Sequence, residues 1–330
     1  MSKTKVECRL ISGIDVADYY DIHEYEGQPV WSSGLIRQAL GAKMVTQERS
    51  EELRRQLVTD KGHALELLLD HDSVIEWRDH IVAIDGPLNT VGSRMLDAWQ
   101  EGLDEESWFQ RYLAIEREQG SRNRKEATAR RHFEENLDKV MTYIEARATN
   151  KIVIDAADLE WISDRIGEVA HRYPWAMQRC VDQQGILFEM HLQRGSEERT
   201  IIGKALIDRV VNELPDGDKN DYGIIDFKCS GLPATQWRSV MRRQRIDVQL
   251  TWYAMAFHAA FQERATPYVV FVGNGWDRAV RISERTMHKA LYGYDTESVY
   301  FVEGTEDRER YHHDGIVDVF FRKQNQIDEY

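Results

Sequence analysis

Apolar positions along this chain change their period about halfway. Up to about Asn150 they recur mostly every three or four residues, the spacing of an amphipathic helix. Ser32 or Ser33 is placed to cap a helix over Gly34–Leu40, and Thr59 or Asp60 to cap one over Gly62–Leu69. Glu105–Glu118 and Lys125–Ala148 carry the same period, and in the latter Phe133, Leu137, Val140 and Ile144 share one face. Asp155 or Asp158 opens a further helix through Leu159, Ile162, Ile166 and Val169 to about His171.

After Gln184 the pattern turns to strands. Ile186–Leu192 reads as a strand, Gln193–Glu198 as a turn, and Thr200–Val211 as a second strand. Asp216–Asp221 is a loop and Tyr222–Lys228 a third strand. Ile246–Phe261 returns to the helical period; Pro267–Gly273 is a fourth strand and Val280–Ile282 a fifth. Strands in succession, a helix and a returning strand predict an α+β core, a mixed central sheet flanked by helices. The expected division is a mainly helical portion over residues 1–150, a core over 151–283, and a helix with a polar tail over 284–330.

Composition narrows the class. The 330 residues are 42% hydrophobic and 30% charged, which fits a globular chain with ample core. No apolar run approaches the roughly 20 residues of a membrane span, and the first residues lack the apolar stretch of a signal peptide. The expectation is a cytoplasmic protein with no membrane partner. Cys8, Cys180 and Cys229 have no Cys-x-x-Cys spacing, which argues against a disulfide framework, a structural zinc site or a four-cysteine iron–sulfur cluster.

The net charge of −14 argues against a protein that coats nucleic acid, but its distribution is uneven. Ser121–His132 carries five Lys and Arg residues against one acid, and Trp237–Arg245 carries four arginines and no acid. Arg238, Arg242, Arg243 and Arg245 follow closely on the third strand. An acidic body with local basic stretches suits an enzyme that holds its substrate in a defined channel.

The chemistry concentrates on the strands. Ile202-Gly-Lys-Ala-Leu-Ile-Asp208-Arg209 is followed by Gly223-Ile-Ile-Asp226-Phe-Lys228. Asp226 and Lys228, two apart on a strand, point to one face. Two carboxylates can hold a hard divalent cation through oxygen, with a lysine to orient an attacking water or to steady charge on phosphate. The plainer alternatives are a surface ion pair for Asp226–Lys228, and a salt bridge from Asp208 to Arg209 or Lys204. Glu189, inside the apolar strand Ile186–Leu192, would add a third carboxylate converging on one sheet end; its alternative is a solvent-facing strand position. Gln249 and Tyr253, four apart, share a face of the Ile246–Phe261 helix. Glu66, with His63 one turn earlier on the Gly62–Leu69 helix, could reach a metal or be an exposed helix acid.

Taken in order, these segments resemble the RecE-like (exodeoxyribonuclease VIII) branch of the PD-(D/E)XK nuclease superfamily, which also includes the lambda-type phage exonucleases. Trp31-Ser-Ser-Gly-Leu-Ile-Arg-Gln-Ala-Leu40 is similar to that branch's N-terminal Ser-rich helix start, and Lys61–Leu69 to its Gly-Thr-Ala-Leu-His helix. Phe188-Glu189, Ile207-Asp208-Arg209, Ile225-Asp226-Phe-Lys228, Val248-Gln249-x-x-x-Tyr253 and Pro267–Gly273 follow, so the resemblance spans roughly residues 30–275. One departure is Glu66, where the family helix usually offers histidine. Another is the long polar stretch Glu213–Asp221 between the two aspartates.

The resemblance implies a Mg²⁺-dependent deoxyribonuclease, with Mn²⁺ able to substitute. Asp208, Asp226 and the Phe227 carbonyl would be ligands, with Glu189, Glu66 and His63 completing the shell. Lys228 would act on the water, Gln249 and Tyr253 would brace the site, and Arg37 and the four arginines after the third strand would hold DNA phosphates. It further implies a 5′→3′ exonuclease on double-stranded ends. Such an enzyme would be a homo-oligomeric ring of three or four, paired with a single-strand annealing protein in phage-type recombination. Two other readings share these residues: a structure- or sequence-specific endonuclease of a defence or restriction system, and a non-catalytic nuclease-like binding module.

Overall fold

An eleven-residue strand, Thr4–Ile14 (β1), begins the chain in the computed structural model. The structure describes residues 4–41 except 17, residues 61, 64, 65 and 68, residues 80–119 except 87, residues 125–181 except 150, and residues 183–215, 222–302 except 231, and 305–321. The chain divides into two units, Met1–Thr46 with Val169–Tyr330, and Gln47–Glu168. The portion expected to be mainly helical is so over most of its described residues but opens with strands. After β1 come the short strands Glu24–Tyr25 (β2) and Gln28–Ser32 (β3), then the helix Ser33–Ala39 (α1), whose first turn Ser32 caps through Leu35 N–H.

The Gln47–Glu168 unit holds strand Ile81–Ile84 (β4), helices Thr90–Ala98 (α2), Glu105–Gln119 (α3) and Glu126–Ala148 (α4), strand Ile152–Asp155 (β5) and most of helix Ala156–Arg172 (α5). The apolar face foreseen on α4 is buried: Phe133 packs edge-on against Trp108 and Phe109, and Val140 and Ile144 extend the same core. β4 and β5 pair in parallel, a feature the short apolar runs did not announce. In the basic stretch, Arg130 is tied to Glu106 at 2.8 Å and lies over the Phe109 ring, so part of that charge is neutralised within the unit.

The other unit continues with Pro174–Met177 (α6), Arg179–Val181 (β6), Gln184–Arg194 (β7), Glu197–Ile207 (β8), Arg209–Val211 (β9) and Tyr222–Ser230 (β10). Then follow Trp237–Gln244 (α7), Ile246–Phe261 (α8), Ala265–Gly273 (β11) and Trp276–Arg281 (β12). The chain ends in Glu284–Tyr292 (α9), the hairpin Tyr294–Val302 (β13) with Thr305–His313 (β14), and Ile316–Phe321 (α10). The expected single helix and polar tail therefore contain a hairpin and a second helix. The loop foreseen at Asp216–Asp221 lies outside the described residues.

Two five-stranded sheets carry this unit, in the orders β1-β7-β8-β3-β2 and β12-β11-β10-β9-β6. Both mix parallel and antiparallel neighbours: β3 runs parallel to β8 and β10 parallel to β11, and the other pairs are antiparallel. Parallel neighbours need a crossover, and α7 and α8 are the crossover between β10 and β11. α8 is apolar nearly all round because it packs against strands of both sheets, with Leu250, Trp252, Ala256 and Phe257 in one core with Phe188, Ile207, Ile224 and Val269. Gly203 on β8 makes that approach possible, since a Cβ there would lie 2.6 Å from Trp252 and 2.8 Å from Phe188. Cys8 and Cys180 are free thiols, and burial pushes the Cys8 thiol up to about 12. Among the described residues no helix is long and apolar enough to cross a membrane.

Candidate active site

The strand read as Thr200–Val211 is two strands. β8 ends at Ile207 in the first sheet and β9 begins at Arg209 in the second, so Asp208 is the residue at which the chain changes sheets. β9 pairs with β10 as Val211–Gly223, Val210–Ile224 and Arg209–Ile225. Asp208 and Asp226 adjoin the same closing pair of this ladder, Arg209–Ile225, one from each strand. Asp208 is half-buried there and Asp226 fully buried. The negative charges of both act on the Tyr253 hydroxyl of α8.

Around Asp226 the contacts are specific. Lys228 donates to its Oδ1 at 2.7 Å, and the Gln249 amide approaches the same oxygen at 3.5 Å, long for a hydrogen bond. Gln249 also donates to the Tyr253 hydroxyl at 3.1 Å. Asp226 Oδ2 is buried and has no hydrogen-bond partner among the described residues. A carboxylate that is 1% exposed, with one oxygen unmatched, lacks part of the coordination its charge calls for.

Two phenols report on the same charge. Tyr253 is pushed well above its ordinary value, first by burial and then by the negative charges of Asp208 and Asp226. Tyr19 is also raised by burial, by Tyr20 and by Asp208. Both rings thus stay neutral hydroxyls beside the carboxylates. Tyr19 is a site neighbour that the pattern did not reveal. The segment carrying it is held by the buried Lys204, which donates to the carbonyls of Tyr19 and Ile22 at 2.7 Å each. That buried lysine, in an apolar strand, was the sequence signal that carbonyl groups must cover it. Arg209 lies across the Phe227 ring and donates to the carbonyls of Ala176 and Met177, while Gln183 donates to Asp208.

Glu189 does not join this cluster. It pairs in register with Ile202, six residues before Asp208, about 20 Å along the strand. Its neighbours Phe188 and Met190 face the α8 core, so Glu189 faces the other way, where His191 bonds it at 2.9 Å. That separation along the strand keeps it from Asp208 and Asp226, correcting the expectation of three converging carboxylates. Glu66 and His63 lie outside the described residues.

The arginines separate into two kinds. Arg238, Arg242 and Arg243 are exposed on α7. Arg245 instead forms the joint between α7 and α8, in a left-handed conformation with φ 50°, with Asp247 at 3.5 Å and the Asp314 carbonyl at 3.5 Å. Arg37, expected to hold phosphate, turns to Gln249 Oε1 at 3.0 Å and the Gln244 carbonyl at 3.3 Å. Trp237 opens α7 with Arg238 and Arg278 against its ring.

The donor set suits a hard divalent cation: two carboxylates at one end of a ladder, one with an unmatched oxygen, and only oxygen donors on the acidic side. No protein-family model matches the chain, and no curated protein matches it. Among solved structures it is similar to a protein from Eubacterium rectale named "Putative exonuclease", with 12% identity and a TM-score of 0.29 over 74% of this chain and 81% of that one; so loose a likeness carries no argument.

Proposed function

We propose that this chain is a divalent-metal-dependent deoxyribonuclease of the PD-(D/E)XK superfamily, RecE-like in its motifs. The observation that carries the reading is that Asp208 and Asp226 adjoin the same closing pair of the β9–β10 ladder, with Asp226 Oδ2 buried and unmatched and Lys228 bonded to the same carboxylate. Asp208, Asp226 and the Phe227 carbonyl would hold Mg²⁺, or Mn²⁺ in its place. Bound there, the cation would supply positive charge to the scissile phosphate and acidify an attacking water. Lys228, on the same strand face, would orient that water and stabilise the hydroxide it becomes. Gln249 and Tyr253 would keep the Asp226 carboxylate from rotating. Arg238, Arg242 and Arg243, exposed on α7, would grip backbone phosphates without reading sequence.

The sequence resemblance supports a 5′→3′ exonuclease acting on free ends of linear duplex DNA. It also supports a homo-oligomeric ring and a role beside a single-strand annealing protein. The test is Mg²⁺-dependent digestion of end-labelled linear duplex against closed circular DNA. We expect the linear form alone to be degraded, and Lys228→Ala to lower the rate by about 10²–10⁴-fold while still folding. Digestion of circles would move the reading to an endonuclease on the same fold. Wild-type-like digestion by the lysine variant, or binding without cleavage in both Mg²⁺ and Mn²⁺, would overturn the assignment.

A further inference from the structure

Arginine has only donors. Arg37, reaching from α1, therefore fixes which end of the Gln249 amide faces it: Oε1, at 3.0 Å. The second contact of the same nitrogen, with the Gln244 carbonyl at 3.3 Å, anchors the guanidinium to the end of α7. With its oxygen engaged, Gln249 turns its NH₂ the other way, 3.1 Å from the Tyr253 hydroxyl and 3.5 Å from Asp226 Oδ1. Lys228 also donates to Oδ1. Both donors thus meet one oxygen of Asp226 and leave Oδ2 unmatched. Reversing the amide would set an acceptor against the carboxylate and remove the donor that favours this rotamer.

We infer that Arg37 is a positioning residue, acting through Gln249 to hold Asp226 with Oδ2 turned to a cation. This rests on the metal-dependent reading above. The arrangement assigns Arg37 to the support of the metal ligand rather than to the substrate backbone. A residue acting behind a ligand in this way changes metal affinity by about 10–100-fold when removed.

The experiment is a cycle of Arg37→Ala, Gln249→Ala and the double variant in the full chain, with Arg37→Lys as the conservative control. Mn²⁺ binding is measured by calorimetry without DNA. The Mn²⁺ concentration giving half-maximal cleavage and the KM for linear duplex are measured separately. The expected result is an affinity for Mn²⁺ that falls about 10–100-fold in Arg37→Ala, falls no further in the double variant than in Gln249→Ala, and is partly restored in Arg37→Lys. The half-maximal Mn²⁺ concentration should rise in parallel, with KM for DNA unchanged. A raised KM with unaltered Mn²⁺ binding would make Arg37 a phosphate contact and overturn the inference while leaving the nuclease reading intact. Additive losses in the double variant would also overturn it. Arg37-dependent Mn²⁺ binding in a protein that cleaves no DNA would keep the inference and discard the nuclease reading. Absence of Mn²⁺ binding by the wild type would discard both. Should Arg37→Ala fail to fold, Arg37→Lys carries the same test, with metal affinity between wild type and Gln249→Ala.

Discussion

Asp208 and Asp226 adjoin the same closing pair of the β9–β10 ladder, Arg209–Ile225. Without a cation, two like charges brought close together oppose the fold. Asp208→Asn keeps the shape and the acceptor that Gln183 uses, and removes one charge. In metal-free buffer its melting temperature should rise slightly above wild type, and the increase that Mn²⁺ gives the wild type should vanish. A variant less stable than wild type, yet still stabilised by Mn²⁺, would show that the two aspartates do not share a cation.

Gly203 tests the packing that sets α8 over the site. Its added Cβ would meet two rings at 2.6–2.8 Å, and both Trp252 and Phe188 are fully buried. Trp252 cannot yield freely, because its indole N–H donates to the Lys204 carbonyl at 2.9 Å. Gly203→Ala should cost about 1–3 kcal/mol, read by denaturant unfolding. Because α8 carries Gln249 and Tyr253, Mn²⁺ affinity should weaken with it. A neutral outcome would mean the core around Trp252 is loose.

The exposed arginines of α7 make a quantitative claim about salt. If each of Arg238, Arg242 and Arg243 neutralises one phosphate, replacing all of them by alanine should flatten the log–log salt dependence of duplex binding by about 2–3 units. The rate at saturating DNA should hold. Arg245→Ala should instead lower stability, since that residue forms the α7–α8 joint. An unchanged salt slope in the triple variant would place the DNA path elsewhere.

What the sequence disclosed follows from the range of each interaction. α8 was foreseen at Ile246–Phe261 and is found there, because a long periodic segment defines itself. Asp226 and Lys228 were legible because strand alternation alone puts them on one face. Glu189 was misplaced because an acid inside an apolar strand says nothing about how far along the sheet it lies from the other carboxylates; that is set by the β7–β8 register, which pairs it with Ile202. The change of sheets at Asp208 was also hidden, since apolar residues stand on both sides of it, Leu206-Ile207 before and Val210-Val211 after. Tyr19 and Arg37 reach the site across more than 150 residues of chain, through contacts with Lys204 and Gln249 that no local pattern encodes. β1 was missed because it lies at the sheet edge, where the half-exposed alternation of Thr4–Ile14 is weak.

The C-terminal hairpin should make stability depend on pH. His312 on β14 bonds Asp295 of β13 at 2.7 Å, and its other nitrogen faces Asp318 of α10 at 3.3 Å and Asp314 at 3.7 Å. Arg194 of β7 holds the far oxygen of Asp318 at 2.6 Å. The Asp295 hydrogen bond, with a smaller part from Asp318, raises His312 above its ordinary 6.5, although its partial burial works against this. A histidine whose folded value is raised stabilises the fold fully below its unfolded value, and that stability is lost as pH climbs through the folded value. Wild type should therefore lose melting temperature relative to His312→Asn as pH rises through and above the ordinary histidine value of 6.5. The two proteins should converge at the alkaline end. The side chain is 45% exposed, so the difference should be small and should shrink in high salt. A gap between the two melting curves that stays constant across this range would show that His312 acts by packing and not by its charge.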